Sequence, residues 1–255
     1  MSDIKVFRDR ITSKESLAEI DKIWHGNSNQ FVRAFMTYQR IQDSRSYGRK
    51  IQDCTPASIA DCMILAAQLQ LFPSTSLGLV HFIPFKDTCT IIVGYQGMID
   101  IALRDKRITH IDPRLVKEGE ECIVKGGTSP SIEHTIDPFS DAPITGGYAI
   151  ATFENGKTQF ITMSKKEIDD IRAKSDKSKG EKGSSFWNNH YNEMAKKTLI
   201  RRLFKLLPKP APSSENRVAY EKMIEMDNKE YEGRTIDNEE KPGSPEQIME
   251  ILENE

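Results

Sequence analysis

Apolar positions recur at helical spacing near the front and back of this chain and bracket a middle stretch of short β-type runs. Residues 14–44 read as helix, with Leu17, Ile20, Ile23, Trp24, Phe31 and Phe35 as apolar contacts and a break at Asn27-Ser-Asn-Gln. Thr55-Pro56 opens a second helix, since Thr caps, Pro suits the first turn, and Ile59, Met63, Ala66 and Ala67 follow on one side. Leu71-Phe-Pro-Ser-Thr-Ser ends it in a loop. Leu79–Phe85 and Cys89–Val93, separated by Lys86-Asp-Thr, form a hairpin signal. A short helix follows over Met98-Ile-Asp-Ile-Ala-Leu-Arg. Further strands are expected near 114–124, 130–136, 144–153 and 157–163. Gly126-Gly127, Asp137-Pro138 and Asn155-Gly156 are the turns between them, the last being a strong hairpin signal. Ser164-Lys-Lys-Glu167 fits a capping box and opens a helix to about Lys174.

The longest amphipathic stretch runs from Phe186 to Lys205 and reads as one helix that stops at Pro208. Leu199, Ile200, Leu203, Phe204 and Leu207 form its apolar stripe. Beside them Lys197, Arg201 and Lys205 follow at i, i+4 and i+8 and share a face, and Lys196 and Arg202 widen the basic surface. The fold class expected is α+β: a small antiparallel sheet packed on a long helix, with N-terminal helices before it. The chain is long enough for one large domain and a tail. Residues 1–50 are expected to form a helical assembly region, 51–210 the core, and 211–255 a largely disordered acidic tail. Residues 175–185 are low in hydrophobicity and expected to be mobile. Near 245–253, Ile248, Met249, Ile251 and Leu252 make a short amphipathic helix that docking would stabilise.

Charge sharpens this outline. The net charge of −2 hides a basic block, 13 Lys or Arg against 6 Asp or Glu over 164–210, followed by 5 against 13 over 211–255. A basic block with an acidic tail is the pattern of a nucleic-acid binder with an interaction tail. The four cysteines form no metal-ligand or redox spacing and suit a reducing, cytosolic setting. The start has no apolar signal core, and no apolar run approaches the roughly 20 residues of a membrane span.

Catalytic motifs are largely missing. There is no Gly-x4-Gly-Lys-Ser/Thr, so an ATP-driven strand-exchange motor is not expected. The enzyme alternative is a metal-dependent nuclease built on Asp112, Glu118, Glu120 and Glu121 with Lys125 nearby. Glu121 and Lys125, four apart on a strand, would stand about 13 Å apart, which suits exposed strand residues better. Gly94-Tyr-Gln-Gly97 matches the backbone-clamping loop of KH domains, but it follows a β-run and reads as a tight strand-to-helix turn that brings Tyr95 near a phosphate. Arg104, Lys106 and Arg107 add a second cationic cluster. Phe186, Trp187 and Tyr191 lie among the basic residues, and Trp187 is open between stacking on a base and anchoring the core.

Four blocks carry a resemblance. They are Thr55-Pro-Ala-Ser-Ile-Ala-Asp-Cys-Met-Ile-Leu-Ala-Ala-Gln-Leu-Gln-Leu, Ser76-Leu-Gly-Leu-Val-His-Phe-Ile-Pro-Phe, Ile91-Ile-Val-Gly-Tyr-Gln-Gly-Met-Ile-Asp-Ile-Ala-Leu-Arg, and Trp187-x6-Met-Ala-Lys-Lys-Thr-x-Ile-Arg-Arg-Leu-Phe-Lys. In this order, over about 50–210, they resemble the RecT family of phage and prophage recombination proteins. The resemblance implies an ATP-independent protein of the bacterial host's cytoplasm that anneals single-stranded DNA. It also implies a core similar to that of Rad52-type annealing proteins, a homo-oligomer in the form of a ring or helical filament, annealed duplex as product, and a partner exonuclease. A host single-strand binding protein is a further partner, reached through the tail. No cofactor is implied, and Mg²⁺ dependence of DNA binding is left open. Lys196, Lys197, Arg201 and Arg202 fall on the family's Ala-Lys-Lys-Thr…Arg block, and Tyr95, Gln96 and Arg104 on its Gly-Tyr-x-Gly block. Gln96 stands where many relatives carry Arg or Lys. With Lys205, Lys106 and Arg107 these are the expected DNA contacts.

Overall fold

The structure, a computed structural model, describes residue 9 and residues 12–46, 48–177 and 185–235. Helix α1 (Lys14–Ile23) begins at Ser13, whose hydroxyl accepts from the Ser16 N–H. It ends where His25 and Gly26 turn left-handed, at φ 48° and 84°. The next helix, α2 (Ser28–Arg45), therefore starts inside the Asn27–Gln30 segment expected to be the break. The interruption comes earlier because Gly26 closes α1 and the Asp21 carboxylate accepts from the Ser28 N–H at 3.1 Å. Neither helix stands apart from the core. Phe35 and Tyr38 on α2 pack edge-on against Phe82, and buried Asp43 accepts from the Ile51 N–H at 2.7 Å.

Helix α3 (Pro56–Gln68) has the Thr55 cap and first-turn Pro that its sequence implies. It lies behind the hairpin of β1 (Val80–Phe85) and β2 (Thr88–Val93), which pair antiparallel. Gly94 then caps α4 (Tyr95–Leu103), so the Gly-Tyr-Gln-Gly segment joins strand to helix. Close packing explains its glycines. A Cβ on Gly97 would sit 2.2 Å from the Leu79 carbonyl oxygen, nearer than any real contact.

The expected strand at 114–124 is two strands. β3 (Ile108–Lys117) starts six residues earlier, and Gly119, at φ 86°, separates it from β4 (Glu121–Lys125). Its first half looks polar because β3 is an edge strand, which also tolerates Pro113. Among the described residues β4 pairs only with β5 (Ser131–Thr135), in a separate two-stranded ribbon. β6 (Ile144–Phe153) is the centre of the antiparallel β3-β6-β7 sheet, and Asn155-Gly156 turns it into β7 (Thr158–Ser164). The capping box then opens α5 (Lys165–Lys177): the Ser164 N–H donates to Glu167 at 2.9 Å, and the Glu167 N–H donates to the Ser164 hydroxyl at 3.3 Å.

The single helix expected from Phe186 is broken. α6 (Ser185–Asn189) ends at His190, outside helical geometry at φ −136°, ψ 44°, and α7 (Tyr191–Leu206) follows. Trp187 is buried, with its ring 5.8 Å from that of Tyr191, which gives it the core-anchor place. The break lets that bulky ring turn into the core while α7 lies along the sheet.

The core also extends beyond residue 210. α8 (Asn216–Thr235) returns to it: Tyr220 stacks on Phe204 at 4.3 Å and donates to the Phe204 carbonyl at 2.7 Å, and the Asn216 amide donates to the Ile101 carbonyl at 2.9 Å. Ala219, Tyr220 and Met223, one helical face, are buried. The acidic composition of this region and the Pro-rich run before it concealed that face. Most of the 175–185 segment and all of the amphipathic run near 245–253 lie outside the described residues.

Gly97→Ala is expected to lower stability by about 1–3 kcal/mol, since backbone, not a flexible side chain, meets the added methyl. A lower urea midpoint with an unchanged slope would show it.

Candidate nucleic-acid interface

α7 lies against β3, β6 and β7 on one side and α4 on another. Leu199, Ile200, Leu203 and Phe204 are buried, each contributing about 1.5–3 kcal/mol by removal from water. β6 admits the helix closely because it has no side chain at Gly147. A Cβ there would come 2.9 Å from the Leu199 Cδ1. With the apolar face so seated, the cations of α7 point in three directions.

Lys196 faces a groove of about 750 Å³. It is lined by Tyr95, Gln96 and Ile99 of α4, Asn192 of α7, β3 from His110 to Leu115, and Ile136, Asp137 and Pro138, past β5, as a further wall. Arg114 and Lys117 of β3 also line it, cations that are not among the expected DNA contacts. Burial pushes the Tyr95 hydroxyl above its ordinary pKa, and the Glu193 carboxylate adds to the effect. Lys196 meets Glu193 at 3.0 Å.

Lys197 lies toward β1. Burial first, then the Lys197 cation, push the His81 pKa below its ordinary value. Arg201 and Lys205 continue this row along a narrow cleft with Met98, Phe204, Met223 and Ile224, where α7 meets α4 and α8. Arg202 points the other way and meets Glu167 of α5 at 2.9 Å. The row of 197, 201 and 205 is thus one edge of the helix, while Lys196 and Arg202 belong to its other sides.

The second cluster stands farther along. Arg104 donates to the Leu69 and Gln70 carbonyls, both at 2.9 Å, and to Asp100. Those carbonyls end α3, where Gln70 is left-handed at φ 53°, so Arg104 closes that helix end. Arg107 grips Asp105 and donates to the Lys209 carbonyl at 3.0 Å. Lys106 is exposed between them. Exposed pairs such as Arg202–Glu167 and Lys196–Glu193 contribute about 0–1 kcal/mol, so a phosphate can displace the carboxylate at small cost.

The carboxylates weighed for metal chemistry are dispersed. Asp112 holds Arg114 at 2.7 Å, Lys125 holds Glu133 at 3.1 Å, and Glu120 is enclosed by backbone donors. Among the described residues no group of three or more His, Cys, Asp or Glu could hold a metal ion. Nor is any described helix long and apolar enough to cross a membrane.

An α+β core whose sheet carries a cation-studded helix beside a groove is an architecture suited to polyanions, and comparison with known proteins shows the family. The chain belongs to the RecT family, whose model matches residues 17–242. The match includes most of α1 and all of α2 and α8, beyond the 50–210 span of the four sequence blocks. The chain is 36% identical over 237 residues to Protein RecT of Escherichia coli (strain K12), covering 90% of this chain and 81% of that protein. It is 25% identical over 197 residues to the uncharacterized protein YqaK of Bacillus subtilis (strain 168), covering 75% of this chain and 63% of that one. Membership places it among phage recombination and annealing proteins.

Because folded His81 binds its proton less readily than in the unfolded chain, its contribution to stability is complete above about pH 6.5 and is lost as pH falls from there through the folded value. Lys197→Ala is expected to raise the His81 pKa while leaving it below the ordinary value, because burial is the larger cause. Titration of the His81 ring protons by NMR measures both effects.

Proposed function

We propose that this protein binds single-stranded DNA along the groove beside α7, without ATP, assembles on it as a homo-oligomer, and promotes its pairing with a complementary strand. One observation carries the proposal: Lys196, from one block of the family pattern, faces the same groove as Tyr95 and Gln96, from another. A groove with an aromatic ring, cations in its lining and apolar residues such as Ile99, Ile111 and Leu115 among them suits a strand with both phosphates and exposed base faces. Lys197, Arg201 and Lys205 extend the cationic track toward α8, and Arg202 borders it on the α5 side. Lys106 and Arg107 are proposed to meet the strand farther along, and Arg104 to support α3 and α4 beneath it. The mechanism is electrostatic. Cations hold phosphates, neutralise repulsion between strands, and leave base edges open to the second strand.

An exonuclease that generates the strand and a host single-strand binding protein are the proposed partners, the latter engaged through the acidic 211–255 region. The N-terminal helices are proposed to contribute to assembly. No specific observation favours the nuclease alternative.

Mixing the protein with complementary labelled oligonucleotides, with Mg²⁺ but without ATP, tests this. Pairing faster than in the protein-free control, with both strands intact, is expected. Cleavage without pairing would favour the nuclease, and pairing slower than the control would favour a passive coat.

If about five cations each neutralise one phosphate, log affinity should fall with log salt at a slope near −3.5, or about a hundredfold between 50 and 200 mM. Lys197→Ala with Arg201→Ala should weaken binding alike for all sequences and flatten the slope by about 1.4. Fluorescence anisotropy across a salt series reads both, and an unchanged slope would remove this edge from the track.

A further inference from the structure

The β4–β5 ribbon pairs with neither β3 nor β6. A two-stranded ribbon is marginal by itself in water, so something else holds it. Ile123 and Val124 are exposed on it, and its anchorage is polar. Glu120, just before β4, has a side chain only 3% exposed. One of its oxygens accepts from the Lys117 N–H at 2.6 Å, at the end of β3. The other accepts from the Asp137 N–H at 3.1 Å, just past β5. The first oxygen also faces His134 Nε2 of β5 at 3.3 Å, and His134 Nδ1 lies 3.2 Å from the Tyr148 hydroxyl of β6. One carboxylate thus ties the two ends of the ribbon together, and one imidazole links them to the main sheet.

What this cluster holds is part of the groove. Glu120 lines it with Ile136, Asp137 and Pro138, in the same groove as Tyr95, Gln96 and Lys196. A carboxylate repels phosphate, so a direct contact role for Glu120 is excluded on charge. The Lys117 N–H first, and then the Asp137 N–H, hold its pKa below the usual carboxylate range despite burial, which keeps it an acceptor at neutral pH.

We infer that Glu120, His134 and Tyr148 are positioning residues that set the 136–138 wall of the groove at the spacing a single strand requires. The inference rests on the groove being the DNA site. It separates residues that shape the groove from residues that hold phosphate, and the two kinds differ in their response to salt.

The test uses the full chain and a single-stranded oligothymidylate, with Glu120→Gln and the milder Tyr148→Phe as variants. Glu120→Gln leaves one oxygen for two backbone donors and is expected to weaken binding about tenfold, and Tyr148→Phe about threefold. The slope of log affinity against log salt should stay that of the unaltered chain, because no phosphate contact is lost. Amide hydrogen exchange should quicken over 131–139 and stay unchanged in α7. Unchanged affinity in both variants, a changed salt slope, or faster exchange throughout α7 would overturn the inference. Failure of the unaltered chain to bind would overturn the DNA-site proposal itself, and this inference with it.

Discussion

The rotation of α7 about its own axis decides where each of its cations points, and its buried face, with Leu199 against Gly147 of β6, holds that rotation. Residues one apart on a helix diverge by about 100°, so Lys196 and Lys197 point toward different neighbours. Once Leu199 and Leu203 face the sheet, Lys196 faces the groove, Lys197 faces β1, and Arg202 faces α5. A helix turned by one residue would retain its charge and lose this division. The absent side chain at position 147 therefore bears on where each of these lysines points.

The fold places acidic groups close to several of the cations on α7 and in the second cluster. Glu193, Glu167 and Asp105 each meet one. Such pairs keep basic side chains extended and near the surface while costing little to exchange for phosphate. Arg104 is different, because besides Asp100 it holds two backbone carbonyls at a helix end, which cannot be exchanged without opening the end of α3. Charge alone does not distinguish these two uses of arginine. Their acceptors do.

Much of the architecture was legible in the residues. The Thr55-Pro56 helix start, the β1–β2 hairpin, the Asn155-Gly156 turn and the Ser164–Glu167 capping box all stand where local rules put them, since each is decided within a few residues. The errors share a cause too. β3 was expected to start late because an edge strand need not alternate, α8 was hidden by acidic composition, and the break at His190 was hidden by unbroken helical periodicity on both sides. In each case the deciding contact is distant in sequence: Ala149 opposite Pro113, Phe204 beneath Tyr220, and the core around Trp187.

The sequence by itself determined which residues are cationic, that they lie on a helix with a buried face, and which family the chain resembles, because charge, periodicity and motif order are local or linear properties. Only the tertiary structure decided that Tyr95, Gln96 and Lys196 share a groove, that Arg114 and Lys117 join them, and that Glu120 ties the 136–138 wall in place. These residues are brought together by the packing of α4 and α7 against β3, and proximity across a fold leaves no spacing in the chain from which to read it.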